Sequence, residues 1–169
     1  DYLNKEIITY TTNAISIEFP VEESKTIGLF LKAAGDLERI GDHAVNISSR
    51  SLKLHSNNEH FSSEAIEEIH QMCELTTKLL EELNVKDRKE LVGIIEKVDV
   101  YENKIDDANK QFSLNQLIRL KDKKCTPEHS AFYTETLTDF ERIGDHGLNI
   151  AISFNEIIDH LTLLNGDAE

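Results

Sequence analysis

Glu38, Asp42 and Asn46 stand four residues apart, and so do Glu141, Asp145 and Asn149. Residues four apart share one face of an α-helix, so each triplet would align two carboxylates and an amide oxygen along one stripe. Hard oxygen donors of this kind suit Mg²⁺, Ca²⁺, Mn²⁺ or an iron cluster better than a soft metal. Each triplet lies inside a segment that occurs twice, Asp36-Leu37-Glu38-Arg39-Ile40-Gly41-Asp42-His43-Ala44-Val45-Asn46-Ile47 and Asp139-Phe140-Glu141-Arg142-Ile143-Gly144-Asp145-His146-Gly147-Leu148-Asn149-Ile150. Every charged or amide position is the same in both copies. Packing alone would hold the apolar positions and let the polar ones drift. One Glu-x-x-x-Asp pair is ordinarily a solvated face; its duplication with identical polar residues favours a site.

The other polar residues of the motif are read as supporting groups. His43 and His146 lie next to Asp42 and Asp145, not four away, which places them as hydrogen-bonding neighbours of a site. Arg39 and Arg142 fit ion pairs with nearby carboxylates such as Asp36, and Asn46 and Asn149 complete the stripes. Catalytic patterns fail on spacing. A ferritin-like di-iron site needs Glu-x-x-His, but Gly41 and Gly144 follow the two glutamates at that distance. Phosphohydrolase His-Asp doublets have the reverse order, and no nucleophile elbow or phosphate-cradling glycine loop is present. No catalytic residue is assigned, and the expectation is a protein that is not an enzyme.

The elements that carry these residues read as helices throughout. Apolar positions recur at helical spacing over residues 1 to about 17, until Phe19-Pro20 interrupts them. A second helix is expected from about Val21, with Glu22 and Glu23 in its first turn, to about Leu54. Its inner stripe is Leu37, Ile40, Ala44 and Ile47, and the carboxylates lie roughly 150° away, towards the surface or a shallow groove. Gly41 and Gly144 each cost about 1 kcal/mol mid-helix, which predicts the close approach of another helix backbone. A third helix starts at Ser62 or Ser63, with Ile66, Ile69, Met72, Cys73, Leu79, Leu80 and Leu83 inside, and closes at Asn84. Asp87-Arg88-Lys89-Glu90 has the form of a capping box and predicts a fourth helix carrying Leu91, Ile94, Val98, Ile105, Leu114, Leu117 and Ile118. Thr126-Pro127 starts the fifth, which contains the second motif and ends before Gly166.

Composition agrees with an all-α, elongated helical bundle: only 7 glycines and 2 prolines, no tryptophan, and 30% charged residues. A net charge of −14 disfavours nucleic acid and anionic lipid and favours cations, although solubility explains it equally well. Cys73 and Cys125 form no CxxC pair, so a reducing, cytoplasmic setting is the default. The repeat extends beyond the motif. Asp1-x-x-Asn4-Lys5 matches Asp106-x-x-Asn109-Lys110, and Tyr2-x-Asn4-Lys5 matches Tyr101-x-Asn103-Lys104 in a rival register. The first register needs the smaller length change to reach the motif. It divides a single domain, 1–169, into repeat one over 1–56 and repeat two over 62–165, with repeat one lacking its initial helix. The chain is expected to be a piece cut from something longer.

Glu38-Arg39-Ile40-Gly41-Asp42-His43-x-x-Asn46-Ile47 and its copy resemble the signature of the PhoU family, as does the plan of two pseudo-symmetric three-helix repeats. The resemblance implies a regulator of phosphate uptake and phosphate-starvation signalling with a metal cluster of iron, zinc, nickel or magnesium on its surface. It implies Glu38, Asp42, Glu141 and Asp145 as ligands, joined by Asp1, Glu102 and Asp106 from the preceding helices. The opening Asp1-Tyr2-Leu3-Asn4-Lys5-Glu6-Ile7-Ile8-Thr9-Tyr10 is similar to the PhoU-like domain at the cytoplasmic C-terminal end of bacterial sodium/phosphate cotransporters. That likeness implies a location at the inner face of the membrane, and a transporter membrane domain or phosphate-signalling proteins as partners. The surface meant for the absent helix suggests a homodimer. The alternative is a structural helical adaptor that docks on a partner without a functional metal site.

Overall fold

The computed structural model describes the backbone of residues 2–15 and 21–166 and the side chains of residues 2–13 and 24–163. Five α-helices and no strand occur among the described residues: α1 (Tyr2–Ile15), α2 (Val21–Ser56), α3 (Ser63–Leu83), α4 (Ile94–Lys121) and α5 (Pro127–Gly166). The all-α helical bundle expected from sequence is the fold observed. Asp1 and the Phe19-Pro20 break lie outside the described residues, as do the side chains of Glu22 and Glu23.

Capping chemistry sets several helix ends. The Ser62 hydroxyl accepts from the Ala65 N–H at 3.3 Å, and the Thr126 hydroxyl accepts from the His129 N–H at 3.1 Å beside Pro127. Each satisfies one of the donors a helix start leaves unpaired. The Asp87/Glu90 pair behaves differently from the expected capping box. Asp87 Oδ1 accepts from the Lys89 and Glu90 N–H groups, and Glu90 Oε2 accepts from the Lys86 N–H at 2.8 Å. These bonds close a turn only. Gly93 then takes φ +70°, left-handed backbone that glycine adopts without strain, and α4 starts at Ile94.

Helices α3, α4 and α5 form an up-down-up unit around Met72, Leu79, Ile94, Val98, Ile105, Tyr133 and Leu137, all fully buried. At one end the core contains a polar cluster. Glu68 accepts from Asn115 Nδ2 and Arg119 Nη2, each at 2.7 Å, and from the Tyr133 hydroxyl. Burial opposes the charge on Glu68, yet the bonds from Arg119, Tyr133 and Asn115 hold its carboxyl below the usual range. Helix α2 runs antiparallel to α5, with Ala33 and Ile40 packed on Ile143 and Ile150, and α1 lies against α2.

Several expected inner positions are displaced. On α3 the buried face is Ala65, Glu68, Met72, Thr76 and Leu79, whereas Ile66 and Cys73 are exposed. On α4, Leu114, Leu117 and Ile118 face outward while Phe112 and Gln116 are buried. The expected α2 stripe is two faces. Ile40 and Ile47 pack towards α5, whereas Leu37 is 62% exposed on a neighbouring face. At about 100° per residue, Leu37 and Ala44 are turned roughly 40–80° from Ile40 and Ile47, enough to leave Leu37 beyond the cover of α5. On α5 the counterpart of Leu37, Phe140, is buried in the core that α3 and α4 complete.

The expected role of the motif glycines is also corrected. Among the described residues a Cβ on Gly41 would meet nothing within 4 Å, and the atoms nearest one on Gly144 belong to the Ile105 and Glu102 side chains, the closest at 3.4 Å. Among the described residues no backbone of another helix is the nearest neighbour of either position. The tight glycine is Gly147, where a Cβ would stand 2.3 Å from Leu79 Cδ2. Gly147→Ala is therefore expected to destabilise the protein by about 1–3 kcal/mol through overpacking. Gly41→Ala should stabilise it by up to about 1 kcal/mol through helix propensity. Denaturant midpoints of the two variants give the comparison, and equal shifts would refute this packing account.

Candidate functional site

The two motif segments meet where α2 crosses α5. His43 Nδ1 lies 2.6 Å from Asp139 Oδ1, and His146 Nδ1 lies 2.9 Å from Asp36 Oδ1. Each motif's first aspartate thus holds the other motif's histidine. The two rings stack with centroids 5.7 Å apart and 24° between planes, so a pseudo-twofold axis relating the motifs passes between them. Asp36 and Asp139 are 3% and 5% exposed, and a buried carboxylate requires such partners. Asp139 also accepts from Arg50 Nη1 and, at 3.5 Å, from Asn46 Nδ2, while Arg50 Nε reaches Glu135 at 3.0 Å. Burial works against the charge of Asp139, but the bonds from His43 and Arg50 outweigh it and hold the carboxyl below its ordinary range.

The symmetry is incomplete at Arg50. Its counterpart by motif offset is Ser153, whose hydroxyl donates to the Asn149 carbonyl at 2.9 Å. Asp36 has instead His146 and a 3.5 Å contact from Arg39, a residue on its own helix. In the second motif Arg142 turns to Asp145 at 3.4 Å.

On another face of each motif helix lie the carboxylate stripes. Glu141 and Asp145 on α5 adjoin Glu102 and Asp106 on α4. Burial and then the charges of Asp106, Asp145 and Asp99 raise the Glu102 carboxyl above its ordinary value. Burial and then Asp106 and Asp145 raise Glu141, with Arg142 and Lys110 offsetting part of the effect. The aspartates of both helices are therefore close enough to the two glutamates to disfavour the charge on Glu102 and Glu141. Asn109 Nδ2 donates to Glu141 Oε2 at 2.9 Å, and on the other side Asn4 Nδ2 donates to Glu38 Oε2. These two bonds are equivalent in the register that pairs Asn4 with Asn109. The rival residue Asn103 instead donates to the Asp99 carbonyl of its own helix, at 2.9 Å.

The residues singled out from sequence divide between two places. Glu38, Glu141, Asp145, Glu102 and Asp106 are part-buried at the carboxylate stripes, and Asp42 is exposed. Asp1 lies outside the described residues. His43, His146 and Asn46 belong to the helix crossing. Among the described residues no three His, Cys, Asp or Glu side chains already converge as metal ligands. The donor chemistry nevertheless fits a hard cation: clustered carboxylates, with Glu102 and Glu141 raised by their acidic neighbours and an amide beside each motif glutamate. Sequence reading missed Asp36, Asp139 and Arg50 as structural centres. The available signal was the seven-residue Asp-to-His spacing repeated in both motifs, which sets each pair on one helical face.

The PhoU domain family model matches residues 1–51. The phosphate-specific transport system accessory protein PhoU homolog 1 of Thermotoga maritima is 28% identical over 151 residues, covering 89% of this chain. The matched part is 64% of that relative, so the chain spans less than two thirds of its length. No solved structure matches significantly.

Arg50→Met should cost about 2–3 kcal/mol, because it strands much of the charge on buried Asp139. Adding Asp139→Asn should recover part of that loss, so the double variant falls short of the sum. Asp139 has a depressed folded value, so its contribution is present above the ordinary carboxylate range and is lost as pH falls through the depressed one. The Arg50→Met penalty should shrink over the same acid range. Urea unfolding from neutral to acid pH measures both effects, and an Arg50→Met protein as stable as its parent at neutral pH would refute the assignment.

Proposed function

We propose, from the match of residues 1–51 to the PhoU domain family, the likeness to a PhoU homolog and the duplicated carboxylate stripes, that this protein is a PhoU-like metal-binding domain that regulates phosphate transport. What carries the reading is the arrangement in repeat two, where Asp106 and Asp145, on two helices, lie close enough to Glu102 and Glu141 to raise both glutamates. Glu141 and Asp145, with Glu102 and Asp106, would hold one set of ions. Glu38 and Asp42, with Asp1, would hold the other. Bound ions would supply positive charge where the protein has an excess of carboxylates, and so offer phosphate oxygens a place to bind. The chain's own residues bind the cation and, through the α2–α5 crossing, fix one stripe relative to the other. The role is regulatory and not catalytic.

The proposed setting is the inner face of the cell membrane, beside a phosphate transporter or the proteins that signal phosphate supply. Among the described residues no helix is long and apolar enough to cross a membrane. A docking role has its own observation. Phe30 and Leu37, 49% and 62% exposed, border an apolar groove of about 580 Å³ whose floor includes Ala33, Ile40, Leu80 and Ile150. Their α5 counterparts, Tyr133 and Phe140, are buried in the core shared with α3 and α4. A second copy meeting this face by twofold symmetry would cover both sets of side chains.

Two measurements test these statements. Elemental analysis of the purified protein should find metal that is lost from Glu38→Gln/Asp42→Asn/Glu141→Gln/Asp145→Asn; metal retained by that variant would sink the site assignment. Glu102 and Glu141 have raised values, so protons should compete and metal content should fall as pH drops through the raised carboxylate range. For the groove, light scattering should show a dimer that Leu37→Asp converts to a monomer. A parent monomer at high micromolar concentration would rule the dimer out.

A further inference from the structure

The motif carboxylates are held by residues that lie outside the motifs. Asn4 on α1 and Asn109 on α4 occupy matching positions before the two motif helices, and each donates its amide N–H to Oε2 of the motif glutamate, Glu38 or Glu141. A charged carboxylate only accepts hydrogen bonds, so the amide nitrogen must face it and the amide oxygen must look elsewhere. In Asn4 that oxygen is buried and has no hydrogen-bond partner among the described residues. In Asn109 it receives a long contact of 3.4 Å from the Ser113 hydroxyl. A buried acceptor without a donor is costly, and its place beside one of the two acidic stripes, with only a long contact at the matching oxygen, calls for a reason. A hard cation, or a water bound to it, would supply the absent partner.

We propose that Asn4 and Asn109 are positioning residues for cation binding, each clamping its motif glutamate through the amide N–H and offering its amide oxygen to the ion's coordination shell. The inference rests on the metal-binding reading above. It assigns a task to α1 and α4 that their own carboxylates do not perform. The amide adds no charge, so it orients the glutamate without adding to the repulsion among the acidic groups. An aspartate in the same place would accept where the glutamate needs a donor.

The test uses Mn²⁺ as the probe, by calorimetric titration of the full chain. Glu38→Gln/Asp42→Asn silences repeat one, so that only repeat two is read in that background. There, Asn109→Ala and Asn109→Leu, the latter close to asparagine in volume, should each weaken Mn²⁺ binding about tenfold or more, as loss of a ligand-orienting partner does. Asn103→Ala on the same helix should leave affinity unchanged, since its side chain serves its own backbone. Asn4→Ala should have the matching effect at repeat one when Glu141→Gln/Asp145→Asn silences repeat two. Unfolding curves recorded without metal confirm that each variant is folded before its affinity is compared. Parent affinity in both Asn109 variants would overturn the clamp while leaving the metal site standing, and so would an equal loss in Asn103→Ala. Failure of the unmodified chain to bind Mn²⁺ would overturn the metal reading itself.

Discussion

Two buried carboxylates, Asp36 and Asp139, anchor the arrangement of this protein. Each would be costly to bury alone, and each is bonded by the histidine of the opposite motif. An apolar seam such as Ile40 and Ala33 against Ile143 and Ile150 favours contact between α2 and α5 but tolerates sliding. A pair of directional bonds does not. A shift of one helical turn would strand both carboxylates at once, so the polar pairs select a register that hydrophobic contact alone leaves open. The same bonds place His43 against His146 on the pseudo-twofold axis.

With that crossing set, the rest of each motif helix follows from the helical repeat. One face of α2 carries Asp36, Ile40, His43, Ile47 and Arg50 towards α5. A second carries Leu37 and Ala44. A third carries Glu38 and Asp42 towards the side where α1 donates from Asn4. Helix α5 repeats the plan with its second face covered by α3 and its third facing α4. Three demands met on three faces explain why so many polar residues recur in both copies. The histidines and the first aspartates serve the crossing, and the later carboxylates form the stripes. The recurring polar set therefore divides in two, and the crossing accounts for the histidines and first aspartates only.

The two halves are unequal where their surroundings differ. Gly147 admits Leu79 from α3, whereas its counterpart Ala44 is exposed. Arg50 neutralises Asp139, but no arginine stands at the matching position for Asp36. Phe30 and Leu37 are largely solvent-exposed where Tyr133 and Phe140 are core. Duplication has preserved the motifs and the crossing more closely than the helices laid over them.

The helices themselves, their caps at Ser62 and Thr126, the duplication and the acidic stripes were legible in the sequence, because each depends on residues within a few positions of one another. The family resemblance rested on the same local pattern. The faces were harder to read. Leu37 and Ile40 look like one apolar stripe along a single helix, and only the presence of α5 on one side separates them. Leu114, Leu117 and Ile118 likewise have core-like side chains, but among the described residues no neighbouring helix covers their face of α4. The Asp87/Glu90 pair carries the capping pattern, yet Gly93 turns the backbone before a helix can form. Asp36 and Asp139 read as ordinary helix-surface acids until a histidine about a hundred residues away is brought within hydrogen-bonding distance. Sequence by itself determined which residues repeat and what chemistry they could perform. Tertiary structure decided which of them serve the helix crossing and which lie on the carboxylate stripes, since burial and long-range hydrogen bonding depend on what packs opposite.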